Sequence, residues 1–158
     1  MLCSRLLHAD DLKRGLMSKA KALFLCTGNS ARSQMAEGYL RHVAGDRFEP
    51  LSAGVEPKVL NPLAVEVMHE IGIDISRQRS KGLDGFLGLE IPYVITVCDN
   101  AKQRCPIFPH ANKLLHWSLE DPAEAAGSHD EKIAVCRRVR DEIERRIKSE
   151  LLPPKVEK

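Results

Sequence analysis

Residues 22–33 read Ala22-Leu-Phe-Leu-Cys26-Thr-Gly-Asn-Ser-Ala-Arg32-Ser33: an apolar strand, a cysteine, five small or polar residues, an arginine, and a serine that opens a helix. Each part suits the capture of a tetrahedral oxyanion and attack on it by sulfur. Gly28 lets the backbone fold back on itself, so that the successive N–H groups of Thr27, Gly28, Asn29, Ser30, Ala31 and Arg32 can converge on one anion. The helix that follows adds the positive end of its dipole, and Arg32 supplies a planar fork matched to two anion oxygens. Cys26, at the foot of this ring of positive potential, is expected to act as a thiolate nucleophile. The plainer reading is a small buried residue at a strand end; the strand–turn–helix context favours the nucleophile.

The bare spacing Cys-x5-Arg is weak, because it recurs at Cys98 and Arg104. The second occurrence encloses Asp99, Asn100, Lys102 and Gln103, has no glycine, and runs into Cys105-Pro106. An anion cradle does not tolerate a carboxylate such as Asp99 inside it.

Outward from the first loop, strands and helices alternate. Lys21–Leu25 reads as a strand, and Ser33–Ala44 as an amphipathic helix with Ala36, Leu40 and Val43 on one face. Phe48–Ser52 is a second strand ending at Ala53-Gly54. Asn61-Pro62 forms an N-cap and first helical position for a helix through Glu70, stopped by Gly72. The Gly-rich segment 82–89 is a short helix or loop. Tyr93–Val97, a continuous apolar run, has the character of a buried parallel strand, and Lys113–His116 is a short fourth. Residues 129–149 place Ile133, Cys136, the Arg140 stem, Ile143 and Ile147 at helical spacing, and Leu152-Pro-Pro ends that helix. Alternation of this kind predicts an α/β fold, a parallel sheet flanked by helices on both faces, with its ligand site beyond the carboxyl ends of the strands. Cys26 and Cys98 follow strand ends and Asp121 lies just past one, so all three can share a pocket.

Composition narrows the function. At 158 residues the chain is one domain, with residues 1–18 expected as a disordered extension (or Met17 as the effective start), 19–150 as the catalytic domain and 151–158 as a tail. A net charge of +2 and 4% aromatic residues give no footprint for nucleic acid. No apolar run approaches the ~20 residues of a membrane span, and the N-terminal segment, with Asp10 and Asp11, makes no convincing secretory signal. Five cysteines are an odd number and suggest catalysis in a cytoplasmic enzyme more than a disulfide framework. No C-x2-C or paired-His spacing points to a metal, and no cofactor is expected. Cys3 and Cys136 receive no role.

Two further features carry chemistry. Cys98 and Cys105 lie seven residues apart in what reads as a polar loop closed by Pro106 and Pro109. Such a loop can bring two sulfurs together, with Lys102 and Arg104 beside Cys105 to favour its thiolate; two unrelated cysteines fit the residues as well. Glu120-Asp121-Pro122 is either ordinary turn chemistry or an acid fixed on a loop to protonate a leaving oxygen.

The stretch Cys26-Thr-Gly-Asn-Ser-Ala-Arg-Ser-Gln-Met-Ala-Glu-Gly38 resembles the active-site loop of the low-molecular-weight protein tyrosine phosphatase superfamily, and more narrowly its thioredoxin-coupled arsenate reductases. The likeness runs from about Lys21 to Arg146, through Leu51-Ser-Ala-Gly54, Gly72-Ile-Asp-Ile-Ser76, Val94–Pro109 and His116–Ala123. It implies a four-stranded sheet of order 2-1-3-4. It also implies a relay: Cys26 attacks arsenate, Asp121 protonates the leaving oxygen, Ser33 donates a hydrogen bond to the thiolate, Cys98 attacks Cys26, and the disulfide passes to Cys98–Cys105 for reduction by thioredoxin. Phosphate or sulfate would occupy the same loop. The alternatives are a phosphatase working through a Cys26 phosphoenzyme, and an oxyanion-sensing binding protein, for which an acid at Asp121 has no use. Three departures from relatives matter. After Asp121-Pro122 the chain continues Ala-Glu-Ala-Ala, without the tyrosines that grip a phosphotyrosine ring. Ala31 stands where many relatives carry a further cysteine. Some such reductases hold potassium with residues matching Asn29, Glu37 and Ser52 plus an acidic group in a following helix, which here reads Arg79-Ser80-Lys81; Lys81 is either an ammonium standing in for the cation or an ordinary solvated lysine.

Overall fold

The computed structural model describes residues 19–153; Cys3, Met17, the expected N-terminal extension and the last residues of the expected tail lie outside that range. Strand β1 (Ala20–Cys26) is the centre of construction. Its run from Ala22 to Cys26 is buried throughout, as a strand covered on both faces requires. It pairs in parallel with β2 (Phe48–Gly54) on one side and β3 (Tyr93–Thr96) on the other, and β3 pairs in parallel with β4 (Lys113–His116). The order is therefore β2-β1-β3-β4, in register Cys26 with Gly54, Leu25 with Thr96, and Thr96 with His116. All four strands deliver their carboxyl ends to one edge, where the site lies.

Among the described residues, four helices connect and cover them. Helix α1 (Arg32–Ala44) begins one residue earlier than the sequence suggested and has Ala31 as its cap residue. From Arg32 to Leu40 every residue is buried, so these nine of its thirteen residues lack the polar outer face an amphipathic helix predicts. Packing against β1, β2 and the C-terminal helix leaves this part no solvent face. Helix α2 (Pro62–Glu70) starts as read: the Asn61 side chain accepts from the Leu63 amide, and Pro62 needs no partner at the first position. It stops where Gly72 takes a φ of 78°, a left-handed conformation that costs glycine nothing. Residues 83–86 form one 3-10 turn and residues 122–124 another.

Helix α3 (Asp99–Arg104) corrects the sequence reading, which had a polar loop here. Helix α4 (His129–Glu150) is capped by Ser128 and buries Ile133, Cys136, Val139, Ile143 and Ile147. It packs on α1 and α2, and the Glu70 carboxylate at the end of α2 receives Arg137 at 2.6 Å and Arg140 at 2.8 Å. Those bonds, Arg137's first, hold the Glu70 carboxyl down at about 2. Burial pushes the Cys136 thiol up to about 12, which suits an inert core residue. Trp117, fully buried beside Phe24 at a ring distance of 5.9 Å, anchors the chain between β4 and the turn at Asp121. Among the described residues, no helix is long and apolar enough to cross a membrane.

Candidate active site

The loop after β1 is held from outside by its own carbonyls. Cys26, Thr27, Gly28 and Ser30 accept backbone hydrogen bonds from Val55, Glu56, Lys58 and Asn61, and the Asn29 carbonyl accepts from the Gln34 and Ser80 side chains. In a planar trans peptide the N–H points opposite to the C=O. Turning five successive carbonyls outward therefore turns the amides of residues 27–31 inward. One of them, Asn29 N–H, donates to Cys26 Sγ at 3.0 Å. Those of Gly28, Ser30 and Ala31 donate to no protein acceptor among the described residues, and so remain for a ligand. Strand β2 passes directly behind the loop at Gly54, where a β-carbon would lie 2.8 Å from both Asn29 N and Thr27 O.

Cys26 lies nearly buried at the base of a cavity of about 280 Å³. Its sulfur is 2.9 Å from Ser33 Oγ, and Asn29 Nδ2 donates to that same oxygen at 2.8 Å. With the Asn29 amide as donor, Ser33 keeps its own O–H for the sulfur. The Asn29 residue that builds this bracket has a φ of 48° and is fully buried. Its Oδ1 accepts from the Lys81 amide at 2.8 Å and from Gln34 at 3.1 Å. Asn29, expected to face the oxyanion, instead stands behind the loop, its amide and side chain already spent on Cys26, Ser33 and residue 81, and it does not line the cavity.

Thr27, Gly28, Ser30, Ala31 and Arg32 do line it. The Arg32 guanidinium, 9% exposed, donates to the Leu119 carbonyl at 3.0 Å and lies 3.4 Å from Asp121 Oδ2. One side chain thus joins the loop to the segment that carries Asp121. Asp121 faces the cavity as well, its other oxygen accepting from the Ala123 amide at 2.9 Å. Among the described residues, no aromatic side chain lines the cavity; its mouth is made by Lys58, Asn100, Ala123 and Glu124. Lys58 escaped the sequence reading. Its amide bonds to the Gly28 carbonyl and its side chain lies across Gly28, a proximity without a local sequence signal. No carboxylate pairs with it among the described residues, since neighbouring Glu56 is taken by Arg104.

Cys98 is buried and caps helix α3, its sulfur accepting from the Ala101 amide at 3.4 Å. It reaches the site through Thr27, whose Oγ1 lies 3.3 Å from Cys98 Sγ and accepts from Asn100 Nδ2 at 2.9 Å. Cys105 is not brought to it. A six-residue helix lies between them, so the seven steps from Cys98 to Cys105, at about 1.5 Å of rise each, separate their Cα atoms by about 10 Å, whereas a disulfide needs roughly 4.4–6.8 Å. Cys105 is half-buried, donates to the Pro106 carbonyl at 3.4 Å, and its thiol is pushed up by burial. Arg104, expected to favour the thiolate, turns instead to Glu56 at 2.9 Å.

Behind the loop, residues 79–81 are irregular, not helical as expected. The buried Glu37 carboxylate receives the Ser52 hydroxyl at 2.8 Å, Arg41 at 3.1 Å and the Lys81 ammonium at 3.5 Å. Lys81 Nζ also donates to the Arg79 carbonyl at 2.6 Å. Two cationic side chains already compensate this carboxylate, so the residues present do not fit an added potassium ion.

A parallel four-stranded sheet with a cysteine, a carbonyl-out loop, an arginine and an aspartate at its carboxyl edge defines the class of cysteine-dependent oxyanion enzymes. The profile of the low molecular weight phosphotyrosine protein phosphatase family matches residues 21–157, and the chain belongs to that family. Among its relatives, arsenate reductase of Halalkalibacterium halodurans is 50% identical over 133 residues, covering 84% of this chain and 96% of its own. That of Bacillus subtilis is 49% identical over 125 residues, covering 79% and 90%. Among solved structures, an arsenate reductase in the phosphate binding state superimposes with a TM-score of 0.68 at 30% identity, covering 82% of this chain and 94% of that one. One in the oxidized state gives 0.71 at 31% identity, covering 81% and 93%.

Proposed function

We propose that the chain reduces arsenate to arsenite through three cysteines in relay, with thioredoxin as the external reductant. The observation that carries this reading is a cavity with a sulfur at its base, inward amides around it, and no aromatic wall for an aryl phosphate, joined through one hydroxyl to a second cysteine. The names of the relatives point the same way.

Arsenate enters with its oxygens on the loop amides of residues 27–32 other than that of Asn29, and on the Arg32 fork. Cys26 Sγ, bracketed by the Asn29 amide and the Ser33 hydroxyl, attacks arsenic while Asp121 gives a proton to the departing oxygen, which leaves as water. Cys98 then attacks Cys26 Sγ. The sulfur–arsenic bond breaks with its electron pair left on arsenic, which falls from the pentavalent to the trivalent state and leaves as arsenite, and the two thiols end as the Cys26–Cys98 disulfide. Cys105 next attacks Cys98, freeing Cys26. That step requires α3 to unwind, because the helix holds the two sulfurs apart. Unwinding also lifts the burial that disfavours the Cys105 thiolate. A thioredoxin dithiol finally reduces Cys98–Cys105 outside the cavity.

The second reading, a phosphatase in which water hydrolyses a Cys26 phosphoenzyme, draws on the separation of Cys98 from Cys105. The test is arsenate turnover coupled to NADPH oxidation through thioredoxin and thioredoxin reductase, beside phosphomonoester hydrolysis. Coupled arsenite production is expected; phosphomonoester hydrolysis without it overturns the relay.

A further inference from the structure

Helix α3 is fastened at both ends by side chains that the oxyanion chemistry does not use. At its first residue, Asp99 Oδ1 lies 2.8 Å from His116 Nε2, and the other ring nitrogen lies 2.7 Å from Thr96 Oγ1. Strand pairing puts Thr96 and His116 side by side at the ends of β3 and β4, so the ring is oriented before it meets the helix. Both bonds survive a change of charge on the imidazole. Neutral with its hydrogen on Nε2, it donates to Asp99 and accepts from Thr96; protonated, it donates to both. The His116 and Ser118 side chains hold the Asp99 carboxyl below the ordinary range, with Lys102 as its neighbouring cation. At the last residue, Arg104 reaches Glu56 at 2.9 Å. None of these four residues lines the cavity. Asn100, which does, forms a third tie through Thr27 but belongs to the site itself.

We infer that the Asp99–His116 and Arg104–Glu56 pairs are positioning elements of the second thiol exchange, holding α3 wound while Cys26 works and setting how readily Cys105 reaches Cys98. The inference rests on the relay reading. In that exchange the Cys105 thiolate attacks Cys98, the Cys26–Cys98 bond breaks, Cys26 departs as a thiolate, and the Cys105 proton goes to water. No electron enters or leaves the chain, so the ties act only through shape. They fasten the wound form, in which Cys98 and Cys105 are both thiols, and are lost in the unwound form that the disulfide needs. Contacts confined to one of two states shift the balance toward it. Cutting them therefore favours the Cys98–Cys105 disulfide.

The experiment uses the full chain with Asp99→Asn, Arg104→Gln and the double variant, plus Asp99→Glu as the conservative control. Two quantities are read: arsenite released in the first turnover, and the Cys98–Cys105 equilibrium in a thiol redox buffer, scored by mass spectrometry after acid quench. First-turnover release is expected to stay at the level of the unmodified chain. The disulfide equilibrium constant is expected to rise about threefold in each single variant, within the range of exposed ion pairs. In the double variant the rise is about tenfold, a reduction potential about 30 mV more negative. Asp99→Glu should return toward the unmodified value. If Asp99→Asn perturbs folding, Arg104→Gln, at the opposite end, carries the test alone. An unchanged or more positive potential in the double variant overturns the inference while leaving the relay intact. Failure of the unmodified chain to form Cys98–Cys105 at all overturns the relay, and the inference with it.

Discussion

Residues 26–33 and residues 98–105 begin alike: each opens with a cysteine, Cys26 ending one parallel strand and Cys98 two residues past the end of its neighbour, and each carries an arginine six positions on. Their mechanics are opposite. In the first, Asn29 and Ser33 are fully buried, the carbonyls are pinned outward, and Arg32 is held by Leu119 and Asp121. In the second, the chain winds into a helix whose Ala101 and Lys102 amides bond back to Cys98, Ala101 alone among the six helical residues is buried, and the arginine points away to Glu56. Spacing does not make an anion cradle; the direction of the carbonyls does. One region must keep its shape while charge moves across it, and the other, in the relay, must give its shape up.

The largest test of this contrast is Cys26→Ser, which should abolish arsenate reduction and any phosphatase activity, since a hydroxyl with no neighbouring base is a poor nucleophile at neutral pH. Arsenite formation by that variant, measured by coupled assay, would remove the cradle from the chemistry. Next comes the second region. Cys105→Ser should release one arsenite per enzyme and stall as the Cys26–Cys98 disulfide, while Cys98→Ser should fail to turn over although Cys26 still engages the oxyanion. A phosphatase would be indifferent to both changes, and acid quench with mass spectrometry separates the outcomes.

A smaller effect sharpens the boundary between the regions. Lys58→Ala should raise the KM for arsenate several-fold with kcat little changed, because an ammonium at the mouth attracts the free anion and the anion in transit alike. Steady-state kinetics at two ionic strengths would check it, with the gap narrowing at high salt. The smallest effect belongs to neither region. With its carboxyl held at about 2, Glu70 contributes stability that is whole above about pH 5 and is lost as the pH falls toward 2. Glu70→Gln should therefore lower the melting temperature slightly at pH 7 and match the unmodified chain near pH 2, with activity unaffected.

Much of the architecture is written in local pattern. The apolar run of β1, the Asn61-Pro62 start, the Gly72 stop and the spacing along α4 each follow from the period of the residues or the chemistry of the ends. The strand order came from family resemblance, because nothing in periodicity fixes which strand neighbours which. Helix α3 was illegible for a physical reason: six residues with one buried position leave no period to detect, and a cysteine is not an expected cap. Lys58 and the outward carbonyls were hidden too. They depend on residues 55–61 lying along the loop through backbone bonds, which carry no side-chain signature. Asn29 was misjudged because a small polar residue in an anion loop reads as a ligand, whether it faces the anion or stands behind it.

Gly54 has a consequence for how such a chain can be varied. With the loop's own backbone within van der Waals reach of where its side chain would begin, the position acts as the mould against which the cradle is cast. A library that randomises the mouth at Lys58, Ala123 and Glu124 can explore new oxyanions freely. One that touches residue 54 changes the casting itself, and every specificity built upon it is lost together.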